Sequence, residues 1–295
     1  MNLNQLRVFA RVADAGSLTA AAHELGVSQP AVSKQLAELE ESVGMNLFDR
    51  LPRGVRLTAA GSLLVRRARK IFAEEQAAEG ELAQLVGVEG GQLCVGASTT
   101  IGNYLMPQWF GRFHGEYPGV RLELLIENTA MIQQAVIDGR LDFGLTEGLS
   151  RSDALDVEVV GHDEMAVIAA PSHSVLRRKK LRASNLQDYP ILMRERGSGT
   201  RDVIEAELRR KDIHVEVAME LGSSEALKNA VVAGLGIAIV SRLTVELDLE
   251  HGRLQEVSIK DFRLRRALHL LQLKGKRASP ASEAFLRLVR TASEG

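Results

Sequence analysis

Two sets of polar residues in this sequence have the types and spacing to do chemistry. The first is Ser28, Gln29, Pro30, Ser33 and Lys34. Positions 29, 30, 33 and 34 share one face of a helix. Gln29, at the start of that face, carries an amide that can pair bidentately with adenine. Pro30 offers an apolar surface to a thymine methyl. Ser33 adds a hydroxyl one turn on, and Lys34 a cation for a phosphate or a guanine edge. A face of hydrogen-bonding groups with one charge is what a helix needs in a DNA major groove, where base edges present donors and acceptors. Ser17 and Ser28 stand where hydroxyls cap helices, and hydroxyls there also reach phosphates. Arg50 and Arg53 follow in a short basic stretch, and Arg53 at its turn suits an A·T-rich minor groove.

The second set is spread along the later two thirds of the chain. Ser98, Thr99 and Thr100 follow the apolar run LCVGA. Gly197, Ser198, Gly199 and Thr200 follow PILMRER, and Ser223 and Ser224 follow VEVAMELG. Each group sits just after a strand pattern and at the start of a helix pattern. Helix starts present unpaired N–H groups and a partial positive charge. Several converging on one cleft make a site for a small anion: a carboxylate, a phosphate or a sulfur oxyanion. Arg194, Arg196 and Arg201 add charge nearby. Glu147, at the end of LDFGLTEG, falls on the same edge, where it either repels some anions or binds an amino group. The plainer alternative for every hydroxyl is that it caps its own helix and touches no ligand.

The elements that position the first set are legible. Ser17 caps a helix with Leu18, Ala20, Ala21 and Leu25, and Gly26 ends it. Ser28 caps a second, with Pro30 in its first turn, where a missing N–H costs nothing. Ala31, Val32, Leu36 and Leu39 give that second helix a face to bury. Leu3, Leu6, Phe9 and Val12 predict a preceding amphipathic helix that roofs the pair. LFDRLPRGVRLT, residues 47–58, predicts a hairpin with its turn at Pro52 and Gly54. Thr58 then caps a long helix whose stripe is Leu64, Ala68, Ile71, Ala78, Leu82 and Leu85, about 28 residues or about 42 Å long. That stripe predicts pairing with a second copy, the alternative being cover by its own chain.

With LRVFARVADAGSLTAAAHELGVSQPAVSKQLAELEESVGMNLFDR and LTAAG in view, the chain resembles the LysR-type transcriptional regulators. The resemblance is dense at the N-terminus and looser beyond it, and it covers essentially the whole length. It implies a winged helix-turn-helix at 1–58, a linker dimerisation helix at 59–88 and an effector-binding domain at 89–295. It implies that Ser17, Ser28, Gln29, Pro30, Ser33, Lys34, Arg50 and Arg53 meet double-stranded DNA. The effector domain is expected to have the α/β two-lobed fold of periplasmic binding proteins, with lobe I at about 92–162 and 268–295 and lobe II at about 163–267. In that fold the chain crosses near 161–164 and returns near 265–268. IGNYLMPQWFGRFHGEYP is expected as one helix, and the strand–helix alternation from LCVGAS to LDFGLTEG as a mostly parallel sheet. Within the family, GASTTIGNYLMPQWFGRFHGEYPGV and RERGSGTR look most like the branch tied to sulfur assimilation and carbon fixation.

Composition sets the bounds. The chain has 295 residues, 45% hydrophobic and 25% charged, with a net charge of −1, so any hold on nucleic acid comes from a local patch rather than a global field. Arg50, Arg53, Arg56, Arg66, Arg67, Arg69 and Lys70 form such a patch. One cysteine, Cys94 in QLCVGA, excludes a disulfide within the chain and a multi-cysteine zinc site. There is no signal-peptide pattern and no apolar run of membrane length, so a cytoplasmic protein without a membrane partner is expected. There is no P-loop, no HExxH and no GxSxG, the histidines lack metal spacing, and the glycines at 234 and 236 lie on the wrong side of a strand for dinucleotide binding. No enzyme, cofactor or metal site is expected. Two rival classes remain open: a metabolite-binding protein or enzyme of binding-protein-like fold, and a scaffold assembled through the long helix.

Overall fold

The structure is a computed structural model and describes residues 1–51, 54–84, 90–148 and 152–292. The chain forms two compact units, Met1–Glu79 and Gly80–Gly295. In the first, α1 (Leu3–Ala15) opens with a capping box between Asn2 and Gln5 and ends at Gly16 in the left-handed conformation. α2 (Leu18–Leu25) and α3 (Gln29–Val43) follow, each capped by a serine and each ended by a left-handed glycine, Gly26 or Gly44. Phe9, Val12, Ala21, Val32, Leu36 and Leu39 interlock as their shared core. At about 1.5–3 kcal/mol per large apolar side chain removed from water, this burial fixes the angle between α2 and α3. The hairpin β1 (Phe48–Arg50) and β2 (Val55–Leu57) packs Leu47 and Phe48 on the same core.

The long helix α4 (Ala59–Gln84) starts at Thr58, whose hydroxyl accepts from the Gly61 N–H at 3.0 Å and donates to the Asn46 carbonyl at 2.9 Å. Its stripe divides. Ala68 is buried within the first unit and Leu64 half-buried, whereas Ile71 is 41% exposed and Ala78 is exposed. The start of the face expected to seek a second copy is therefore covered by its own domain. Leu85, the last residue of that stripe, lies outside the described residues.

The second unit is built on one nine-stranded sheet. Its elements are β3 (Gly91–Ser98), α5 (Thr99–Tyr104), α6 (Met106–Glu116), β4 (Val120–Glu127), α7 (Thr129–Ile137), β5 (Phe143–Glu147) and β6 (Leu155–Ala169). Then come β7 (Ile191–Arg194), α8 (Gly199–Arg210), β8 (Val217–Leu221), α9 (Ser224–Val232), β9 (Ile237–Ser241), α10 (Glu246–Glu250), β10 (Gln255–Glu256), β11 (Leu264–Leu273) and α11 (Pro280–Ala292). The strand order is β4-β3-β5-β11-β6-β9-β7-β8, with β10 on β6. One lobe's core gathers Phe113, Phe143 and Phe285 under α6 and α11, with Phe285 edge-on to Phe113 at 5.3 Å. The other lobe's core includes Ile191, Met193, Ile204 and Ile237.

Three details differ from the sequence pattern. The stretch expected as one helix is two, α5 and α6, broken at Leu105; Pro107, with no N–H to donate, takes the first turn of α6. The apolar run from Met165 to Ala169 is not a strand of its own but the end of the long β6, which runs through the expected crossing. The strands from LCVGAS to LDFGLTEG are parallel as expected, but the sheet as a whole is mixed. β3 runs parallel to β4 and β5, and β7 to β8 and β9, but β6 and β11 are antiparallel to each other and to their neighbours β9 and β5. The reason is topological: a chain that crosses between lobes and comes back must run both ways. The stretches expected as crossings face each other, with Gly161 opposite Leu268 and Glu164 opposite Arg265.

Candidate nucleic-acid interface and interlobe cleft

In the first unit, the hydroxyls of Ser17 and Ser28 each accept the backbone N–H of the third helical residue, Ala20 and Ala31, at 3.4 Å. With Val32, Leu36 and Leu39 turned inward, α3 leaves Gln29, Pro30 and Lys34 exposed and Ser33 half-buried. The nearest acid to Lys34 is Glu38 at 4.0 Å, and the Lys34 side chain is 78% exposed. A pair that loose contributes almost nothing in water, so the ammonium is available to a phosphate.

The hairpin beside α3 is clamped by groups the sequence reading did not single out. The Glu40 carboxylate accepts the N–H groups of Leu47 at 2.7 Å and Phe48 at 3.2 Å. The Val55 N–H donates to the Gly16 carbonyl at 2.9 Å. Gly54 has φ +84°, and a Cβ there would come within 2.5 Å of that same carbonyl oxygen. Arg50 is exposed at the end of β1. Arg53 lies outside the described residues. Of the basic patch, Arg69 is ion-paired with Asp14 and Arg56 lies 3.4 Å from Asp49.

In the second unit a slit lies between the lobes, with about 160 Å³ of empty volume but too narrow to admit a water. Ser98, Thr99, Thr100, Asn128, Thr129 and Glu147 line it from one lobe, and Arg194, Ser198, Gly199 and Thr200 from the other. The Arg194 guanidinium is buried; it donates to Ser224 Oγ at 2.9 Å and Thr99 Oγ1 at 3.4 Å and pairs with Glu195 at 2.8 Å. The lobes touch here through backbone. The Ala130 N–H donates to the Gly197 carbonyl at 3.1 Å, and the Gly199 N–H to Thr129 Oγ1 at 3.2 Å. A Cβ at Gly199 would overlap the Glu147 carbonyl oxygen, so only glycine fits this approach.

Behind the cleft, Arg266 on β11 is fully buried. It donates to Thr200 Oγ1 and to Asp163 Oδ2, each at 2.7 Å, and Glu147 Oε1 lies 3.4 Å away. Asp163 also accepts the Ser241 hydroxyl at 3.0 Å. Charges buried this deeply are tolerated only when paired, and here strand crossing, helix start and cleft share one network. A second interlobe tie lies at Tyr104, whose hydroxyl donates to Glu225 at 2.7 Å. Lys228 joins Glu225 and Asp248 at 2.9 and 3.0 Å; burial opposes its charge, but the two carboxylates outweigh burial and raise its pKa.

These two sites match two known modules in order. Residues 3–62 match the model for "Bacterial regulatory helix-turn-helix protein, lysR family", and residues 87–294 match that for the LysR substrate binding domain. The chain belongs to the LysR family. It is 41% identical over 286 residues to the Escherichia coli K12 protein described as an uncharacterized HTH-type transcriptional regulator, YeiE, covering 97% of this chain and 96% of that one. It is 35% identical over 289 residues to the RuBisCO operon transcriptional regulator of Allochromatium vinosum, covering 98% and 95%. Among solved structures, the Synechocystis PCC6803 CcmR regulatory domain in complex with 2-PG superimposes with a TM-score of 0.64 at 27% identity, over 69% of this chain and 98% of that one.

A LysR chain is a transcriptional regulator and not an enzyme, and its parts can be placed accordingly. Of the effector residues expected from sequence, Ser98, Thr99, Thr100, Glu147, Ser198, Gly199 and Thr200 line the cleft. Gly197 stands at the lobe contact and Ser224 behind Arg194. Ser223 accepts from the Ala226 N–H at 3.1 Å, the plain capping alternative. Arg194 is the last residue of β7 and buried, whereas Arg196 lies beyond the strand end in the turn before α8, exposed and outside the lining; Arg201 is drawn off to Glu205 and Glu220. α5 has six residues, too short to focus a dipole. The start of α7, Asn128 and Thr129, takes its place. That site was missed although VRLELLIENT has the same strand-then-hydroxyl pattern as the others. Cys94 is half-buried, and burial with Asp142 and Glu123 pushes its thiol up to about 12, so it stays protonated at neutral pH. Among the described residues no group of His, Cys, Asp and Glu is placed to hold a metal, and no helix is long and apolar enough to cross a membrane.

Proposed function

We propose that this regulator reads a partly palindromic duplex through the exposed end of α3, and that a small anion held between the lobes sets its activity. The observation that carries the DNA assignment is a helix whose inward face is fully buried while Gln29 and Pro30 stand exposed in its first turn. Gln29 and Ser33 meet base edges, Lys34 and Arg50 meet backbone or guanine, and Ser17 and Ser28 bring their helix starts against phosphates. Arg53 follows in the minor groove.

The chain divides at about residues 58 and 88 into reader, linker and effector domain, with lobe I at about 92–162 and 268–295 and lobe II at about 163–267. Two copies pair through α4, whose Leu63 and Ile71 are left exposed, and two pairs make a tetramer that spans the half-sites. It acts in the cytoplasm, where its promoters are. The small size of the cleft and the starts of α7 and α8 favour an anion, and the relative solved with 2-PG supports that class. Filling the cleft shifts the balance between lobe arrangements and so changes how the pairs hold DNA.

The test is a titration on two operator variants across salt concentrations. Gln29→Ala should lose about 1–3 kcal/mol of base discrimination with an unchanged salt slope. Arg50→Gln should weaken both operators alike and lower the slope by about 1. Unchanged base preference in Gln29→Ala removes the assignment.

A further inference from the structure

Two side chains at the cleft are buried and lack a hydrogen-bond partner among the described residues. They are the Ser98 hydroxyl and Glu147 Oε1, and each residue is 2% exposed. Buried polar atoms are nearly always satisfied. Ser98 stands at the N-cap position of α5 yet makes no side-chain cap bond. Both residues line the same space as Arg194 and the start of α8.

Their chemistry is unequal. A hydroxyl donates or accepts, but a carboxylate offers lone pairs only. Arg266 lies 3.4 Å from Glu147 Oε1 yet turns its Nε and Nη1 hydrogens to Asp163 and Thr200. Its Nη2 is the ion-pair partner of Glu147 Oε1 but makes no hydrogen bond to it, so the carboxylate keeps its charge and a lone pair open to a donor that enters. The rest of the lining calls for the opposite. The N–H groups at the start of a twelve-residue helix favour anionic oxygens, and the Arg194 guanidinium, already bound to Glu195, Ser224 and Thr99, lies beside them. One small molecule meets both demands only if it is an anion that still carries a proton.

The geometry points to an oxyanion that keeps one O–H at neutral pH, with hydrogen phosphate as the parent of the class. This rests on the anion reading of the cleft given above. The anionic oxygens face Arg194, Ser98 and the start of α8, and the remaining O–H donates to Glu147 Oε1. Glu147 thus determines specificity. Sulfate has the same shape and the same charge as hydrogen phosphate but no proton, so it meets the carboxylate lone pair to lone pair and is refused. As it stands the space is too narrow to admit a water, so the oxyanion enters as the lobes part, and a compact one needs the least parting.

The experiment compares inorganic phosphate, sulfate and monofluorophosphate by calorimetry on the full chain near neutral pH. Monofluorophosphate matches hydrogen phosphate in charge and size while lacking the O–H. Phosphate should bind about tenfold to a hundredfold more tightly than either competitor, the range of one hydrogen bond to a charged group. Glu147→Gln supplies an N–H in place of the lone pair and should erase or reverse that preference. Equal binding of phosphate and monofluorophosphate to the unmodified chain overturns the proposal, since Glu147 would then be donating a proton rather than accepting one. That comparison needs no variant and stands even if Glu147→Gln, checked by its thermal melt, does not fold. A folded Glu147→Gln with an unchanged preference also overturns it. Binding of all three anions alike spares the anion reading and removes only the selectivity; binding of none removes both.

Discussion

The exposed end of α3 and the interlobe cleft use similar residues in opposite ways. At α3, Gln29, Pro30 and Lys34 face water, and the fold is held by apolar contacts on the other side. In the cleft, Ser98, Glu147, Arg194 and Thr200 are buried, and polar contacts themselves hold the elements together. A surface that greets a large polyanion can leave its groups solvated until contact. A pocket for a few atoms must fix its groups beforehand, because a loose donor forfeits most of what it gives. The first surface should therefore tolerate substitution with little loss of stability, and the second should not.

The largest test of that contrast is Arg266→Met. It leaves Asp163 and Glu147 buried without their cation and should cost about 3–5 kcal/mol in urea unfolding of the effector domain. A loss below about 1 kcal/mol would mean that the cleft's charges are not structural. Next is Gly199→Ala, which drives a methyl into the Glu147 carbonyl and should disfavour the closed lobes by about 1–3 kcal/mol. Anion affinity should fall while retardation of operator DNA without anion stays as before; a simultaneous loss of DNA binding would blur the distinction. Ser28→Ala should cost about 1 kcal/mol through its cap, and its thermal shift should resemble that of Ser223→Ala, a cap of the same kind outside the cleft lining. The smallest effect is expected at Cys94. With its thiol held near 12, less than a hundredth is thiolate at pH 8, so alkylation by iodoacetamide should be slow in the folded chain and fast in urea.

The same contrast explains what could be foreseen. The N-terminal module is legible because its instructions are local. Ser28 reaches Ala31, Gly44 ends the helix begun at Gln29, and Val32, Leu36 and Leu39 recur at fixed steps. The cleft is legible only where it follows the same rule, as at Ser98 and Ser198 after their strands. Arg266 meets Asp163 across 103 residues of chain and Thr200 across 66, and no periodicity announces such a meeting. Arg196 was expected inside because it is basic and near glycine. Arg194, named beside it, is held inside by β7, but the strand ends there and Arg196 falls in the turn that follows, a boundary the pattern did not fix. Leu105 and Pro107 show a local signal overlooked, since a proline in an apolar helical run marks the start of a helix, not its interior.

β6 and β11 pair from Leu155 opposite Leu273 to Met165 opposite Leu264, with one irregularity where Val160 is the extra residue. Both lobes hang on this single ribbon. They cannot swing apart on slack tethers, for any opening must wring the ribbon against its own hydrogen bonds. The one break in its register, at Val160 and the Leu268–His269 step, lies close behind the Glu147 and Arg266 contacts. A ribbon of this kind resists a door-like swing and yields most readily to torsion, so a change at the cleft is expected to travel as a small rotation along it.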